Sequence, residues 1–161
     1  MRHEYLSVYN LKNHTITSDR ISVGEISVGG GGALTKTMSF TAHKGSFNVF
    51  NVSGAVRIKM AQRCTANLNG KSSATINIGV PGALTRFLGA TTASFIDSGE
   101  FWFSPTGTAN VATMPVSRMI DQLVINKNVK LGVNNTSLTA GTLVFHCWWE
   151  PIESGAKVTA A

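Results

Sequence analysis

The side chains that could do covalent or metal chemistry are few and scattered along the 161 residues. Two cysteines, Cys64 and Cys147, stand outside any Cys-x-x-Cys or Cys/His metal spacing. Both fall on the apolar side of predicted strands, where a thiol behaves as a small hydrophobe, and both are expected to be free in a reducing compartment. The four histidines, His3, His14, His43 and His146, are isolated and form no HExxH or paired zinc spacing. Three of the eight carboxylates, Glu4, Asp19 and Glu25, crowd into the first 25 residues. An acid/base pair needs two carboxylates on opposite sides of a scissile bond; Asp97 with Glu150 is an example across strands, and nothing in the spacing favours it. Gly70-Lys71-Ser72 has the ending of a phosphate-binding loop, but Thr65 occupies the position of its first glycine, and two strands rather than a helix flank it. Gly29 to Gly32 likewise lacks the strand and helix of a dinucleotide-binding turn. These absences point away from catalysis and from any bound metal, nucleotide or other cofactor.

Recognition chemistry is better represented. Arg57, Lys59 and Arg63 recur on one face of a strand, where they could grip phosphate or an acidic partner, or serve only solubility and edge protection. Trp102, Trp148 and Trp149 could stack on sugars or bases, but large aromatics near strand ends more often fill a core or an oligomer interface. The formal charge of +6 is spread over fourteen Lys and Arg with no dense block. That excludes a strong nucleic-acid footprint but permits a weak pull toward acidic surfaces. No apolar run reaches the ~18 residues of a membrane span and no signal peptide stands at the N-terminus, so the expectation is a protein made in the cytoplasm, with no membrane partner.

Strands must position these residues. Charged side chains make up 14% of the chain, against about 25% in an average domain, while Gly, Ser, Thr, Val and Asn are abundant. From Thr37 onward short apolar runs alternate with turn residues. The spacing predicts strands over 47–53, 55–64, 74–80, 95–103, 119–126, 129–134 and 141–149. Within 55–64, Val56, Ile58, Met60 and Cys64 face one way and Arg57, Lys59 and Arg63 the other. Asn69-Gly70 is a hairpin signal between the second and third of these strands, and Val80-Pro81-Gly82 ends the third. The last run is apolar on both faces, as in a strand central to its sheet or covered by a neighbouring subunit. A helical turn fits only near 117–124. About eight strands spaced near ten residues predict an all-β sandwich or jelly roll over 37–161, with a closed up-and-down barrel as the other possibility.

Residues 1–36 read as an N-terminal arm with a glycine-rich hinge, because Gly29 to Gly32 has the greatest backbone freedom to lose on ordering. Fully extended, 28 residues reach up to ~95 Å. Tyr5, Val8, Tyr9 and Leu11 are apolar material that an isolated arm cannot bury, and so are candidate anchors on another surface.

Three stretches resemble a family of small tailed-bacteriophage virion proteins. They are TAHKGSFNVFNVSGAV from Thr41 to Val56, ATINIG from Ala74 to Gly79, and GTLVFHCWWEP from Gly141 to Pro151 with Ser154-Gly155; FWFSP from Phe101 to Pro105 matches a further segment in the same order. The resemblance implies a capsid decoration, or cement, protein: a jelly-roll-like module on the outside of a phage head, often a homotrimer, that bridges subunits of the major capsid protein. Many such relatives begin close to Thr37, so the arm is a departure. Under this reading Tyr5, Val8, Tyr9, Leu11, Arg57, Lys59, Arg63 and Trp148 are the candidate contacts to capsid or neighbouring subunits. The alternative is a phage fibre or receptor-binding jelly roll that recognises host glycans, which would need exposed aromatics converging with polar groups in a cleft.

Overall fold

The computed structural model describes residues 31–70, 73–106 and 111–161. Its organising element is a 23-residue strand, β7 (Val129–Pro151). Each flank of β7 carries two antiparallel strands in succession. On one flank, β1 (Gly32–Ser39) runs beside 142–149 and β2 (His43–Ser53) beside 129–138. On the other, β3 (Ala55–Gly70) runs beside 138–151 and β4 (Thr75–Val80) beside 130–134. Further strands widen this ribbon: β5 (Ala83–Thr92) pairs with β4, β6 (Ile120–Ile125) with β3, and β8 (Lys157–Ala160) with β2. The half-sheets β1-β7-β3-β6 and β5-β4-β7-β2-β8 share β7 and one hydrophobic core, an all-β sandwich of the jelly-roll kind.

Four residues with positive φ lie where the ribbon turns from one half-sheet into the other. Asn135 and Gly141 of β7 have φ of 64° and 117°, and Ala42 and Gly45, at the corner between β1 and β2, have 61° and 115°. Gly141 is required twice over: its φ is left-handed, and a Cβ there would lie 2.7 Å from the Leu68 Cα. Register shifts in β3 between Cys64 and Gly70 mark bulges that bend the opposite flank.

Alternation fills the core. Val129, Leu131 and Val133 from the first part of β7 and Leu143, Phe145 and Cys147 from the second are buried, together with Val56, Ile58, Met60 and Cys64 of β3 and Ile76 and Ile78 of β4. Each large side chain so buried contributes about 1.5–3 kcal/mol before ordering costs.

Several expectations are corrected. The first strand begins at Gly32, so 32–36, read as part of the arm, belong to the sheet; the rest of the arm lies outside the described residues. Asn69-Gly70 makes a corner and no hairpin, because β3 and β4 pair with successive parts of β7 and not with each other. The strands read at 129–134 and 141–149 are one. The stretch 95–103 is no strand: after a 3-10 turn at Ala93–Phe95, Gly99 turns the chain with φ of 93° and only Phe101 makes isolated bridges, to Arg63 and Val111. It packs beside β3 instead, with Gly99 N–H donating to the Cys64 carbonyl and Trp102 N–H to that of Gln62, both at 2.9 Å. Trp102 is fully buried and donates its indole N–H to the Thr91 hydroxyl at 2.9 Å. β5 was not expected, since bulges in its pairing with β4 break the period-two pattern over 83–92. The turn expected near 117 is a single 3-10 turn, Val116–Arg118, and β6 follows it. Among the described residues there is no α-helix.

Candidate functional site

Alternation that sends the apolar side chains of β3 inward sends Arg57, Lys59 and Arg63 outward, and pairing with β7 sets the row each occupies. Arg57 stands opposite Glu150, Lys59 opposite Trp148, and Arg63 opposite Val144. Four of the contact residues expected from sequence, Arg57, Lys59, Arg63 and Trp148, thus share the outer face of the β1-β7-β3-β6 half-sheet. The other four, Tyr5, Val8, Tyr9 and Leu11, lie outside the described residues.

Trp148 is not in the core; it is 46% exposed. Its row neighbours are Ala33 of β1 and Lys59 of β3, too small and too flexible to cover an indole. Its ring stacks on that of His146, with centroids 6.4 Å apart. Trp149, one residue on and on the other face, is half-buried and packs against the core. It lies over Gly32, where a Cβ would sit 3.1 Å from the indole nitrogen.

The edge strand β6 supplies what sequence reasoning missed. Leu123 is 69% exposed, Ile125 64%, and Ile152, just past β7, 56%. Ile125 stands opposite Ala55, and Ile152 N–H donates to the Ala55 carbonyl at 2.9 Å, so Ile125 of β6, Ala55 of β3 and Ile152, which follows β7, form one row. Leu123 and Arg57 share the next row. The signal was present in Leu123-Val124-Ile125, where an edge strand is apolar on both faces while only Val124 and Ile120 are buried.

Arg57 and Asp121 form a bidentate ion pair on this face. The guanidinium donates from Nε and a terminal nitrogen to the two carboxylate oxygens at 2.9 and 2.7 Å. Hydrogen bonding to Arg57 holds the Asp121 carboxyl below its ordinary value and, with the Asp121 charge, raises Arg57. Both side chains are 42% exposed, so solvent screens the pair.

The carboxylates, thiols and histidine considered for chemistry sit at separate places in the fold. Glu150 stands opposite Arg57 near one end of β3, whereas the segment containing Asp97 bonds to Cys64 and Leu68 near the other, so these carboxylates do not form a pair. Cys64 and Cys147 are buried free thiols; Cys147 stands opposite Met60, four positions along β3 from Cys64. Burial raises the thiol of Cys64 and pushes that of Cys147 up to about 12, which disfavours the thiolate at both. His43 sits between the rings of Phe40 and Phe47, and its Nδ1 accepts the Thr41 N–H at 2.9 Å. Among the described residues no group of three His, Cys, Asp or Glu could hold a metal. An open crevice of about 580 Å³ between β1 and β2 is lined by Lys36, Met38, Phe47, Asn48, Asn51 and Lys130 among others, with no His, Cys, Asp or Glu side chain.

No protein-family model matches the chain, and no curated protein matches it. Among solved structures, it is similar to a chain in the acidic stable capsid structure of Helicobacter pylori bacteriophage KHP30, with a TM-score of 0.47 and 13% identity over 80% of this chain and 94% of that one. It is also similar to a chain of the cyanophage Pam1 capsid asymmetric unit, with a TM-score of 0.40 and 16% identity over 87% of this chain and 95% of that one. At these scores the likeness decides neither strand order nor role.

Proposed function

We propose that this chain is a non-enzymatic virion structural protein: a decoration protein that binds the outer surface of a phage head, as a homotrimer, and stabilises the shell by bridging capsid subunits. The observation that carries the reading is the outer face of β1-β7-β3-β6. It leaves Leu123, Ile125, Ile152 and Trp148 exposed beside a row of cations, an arrangement suited to a protein–protein contact. The sequence resemblance to phage decoration proteins supplies the kind of partner. Residues 1–30, with Tyr5, Val8, Tyr9 and Leu11, would add a second attachment.

The test is direct. Shells of the major capsid protein, assembled without this chain, are incubated with it, and bound protein is measured by co-sedimentation and shell survival on heating. Saturable binding that raises the temperature at which shells open is the expected result. Removal of residues 1–30 should leave unfolding of the remainder nearly unchanged and lower shell affinity. Absence of binding by the full chain, or a monomer mass both in solution and on the particle, contradicts the proposal.

A further inference from the structure

We infer that the outer face of β1-β7-β3-β6 is itself the docking surface, and that the protein surface it seats presents carboxylates around an apolar contact. This rests on the decoration reading and adds which face is used and what chemistry it meets.

The rows are ordered. Apolar contact is concentrated at one end, in Ile125, Ile152 and Leu123, and continues through Trp148. Cations run alongside from Arg57 through Lys59 to Arg63, along the first half of β3. Along the far margin, β1 turns Ala33, Thr35, Thr37 and Ser39 outward, a small and hydroxylated rim.

Charge then selects the occupant. Arg57 is matched within the chain by Asp121, and among the described residues this is the one ion pair. Lys59 stands opposite that same Asp121 without making an ion pair of its own, Glu150 adds a carboxylate opposite Arg57, and Arg63 has no ion-pair partner among the described residues. A surface carrying Asp or Glu opposite Lys59 and Arg63 would complete them, and the net charge of +6 would steer such a surface inward. A polyanionic nucleic acid would engage the cations but leave the exposed Leu123, Ile125 and Ile152 with no apolar partner, so a protein fits the whole face better.

The experiment measures affinity for capsid shells with four full-length proteins: wild type, L123T/I125T, K59E/R63E and the control K44E/K157E. The control makes the same change in net charge at exposed positions of β2 and β8. Thermal unfolding of each checks the fold, and threonine keeps strand propensity on β6. The inference expects L123T/I125T and K59E/R63E each to weaken shell binding roughly tenfold or more, and K44E/K157E to stay within about threefold. If the wild type binds and all variants bind alike, this face is not the dock and the decoration reading stands. Equal weakening by both charge reversals means that only net charge acts, which also overturns the face. If L123T/I125T and K59E/R63E break up an oligomer of the free protein, as judged by sedimentation, and shell affinity per subunit is unchanged, the face seats a second copy instead. Failure of the wild type to bind shells removes the decoration reading, and with it this inference.

Discussion

The two parts of β7 offer an internal comparison. Residues 129–134 and 142–150 belong to one strand, and inward they are equivalent: Val129, Leu131 and Val133 are as completely buried as Leu143, Phe145 and Cys147. Outward they differ. The first part shows Lys130, Gly132 and Asn134, with Gly132 lying so close to Asn77 that a Cβ would meet the Asn77 Oδ1 at 2.3 Å. The second shows Val144, His146, Trp148 and Glu150, flanked by Arg63, Lys59 and Arg57. Inner alternation is set by the demands of a core and repeats wherever the strand runs. The outer pattern answers to local packing instead: Gly132 makes room for the buried Asn77, whereas Trp148 is left exposed.

The comparison breaks most readily in the core. Leu131→Ala and Leu143→Ala should each cost about 2–5 kcal/mol in urea unfolding. A near-neutral result for either would mean that its half-sheet is not packed as described. Gly141→Ala probes the bend that separates the halves. With a φ of 117° and no room for a methyl group, it should cost about 1–3 kcal/mol, whereas an ordinary exposed Gly→Ala change is neutral or stabilising.

The outer face should respond weakly in stability. Trp148→Ser should stay within about 1 kcal/mol of wild type in thermal unfolding, and Trp149→Ser should cost clearly more, because only Trp149 packs on the core. Equal losses would place Trp148 inside. The smallest effect belongs to Asp121→Asn. The folded-state pKa of Asp121 is lowered, chiefly by the hydrogen bond from Arg57. Its stabilising contribution is therefore full above the ordinary value of 3.8 and fades as pH falls through the lowered one. Unfolding midpoints of wild type and D121N should thus converge on acidification below that value. Divergence there would reverse the assigned sign.

Period two made much of this legible. The inward set Val56, Ile58, Met60, Cys64, Ile76 and Ile78 and the outward set Arg57, Lys59 and Arg63 could be read from spacing alone, because each strand segment is straight enough for alternation to persist. What escaped was decided by contacts distant in sequence. Asn69-Gly70 has the residues of a hairpin, yet β7 draws β3 and β4 onto one flank and leaves those residues a corner. Bulges disguised β5, and Gly99 turned a promising apolar run over 95–103 into a packed loop. For the candidate face, the basic row was visible, but Leu123, Ile125 and Ile152 gain meaning only when β6 is found at an unpaired edge and Ile152 in line with Ala55.

Whether this face meets a shell would be decided by a cryo-EM map of the particle that incorporates the chain. The expected map places the sandwich outside the head, with Leu123, Ile125 and Trp148 against a capsid subunit and Asp or Glu side chains opposite Lys59 and Arg63. Absence of the sandwich from the head would contradict the decoration role, and a sandwich seated there with that face turned to solvent would contradict the docking face.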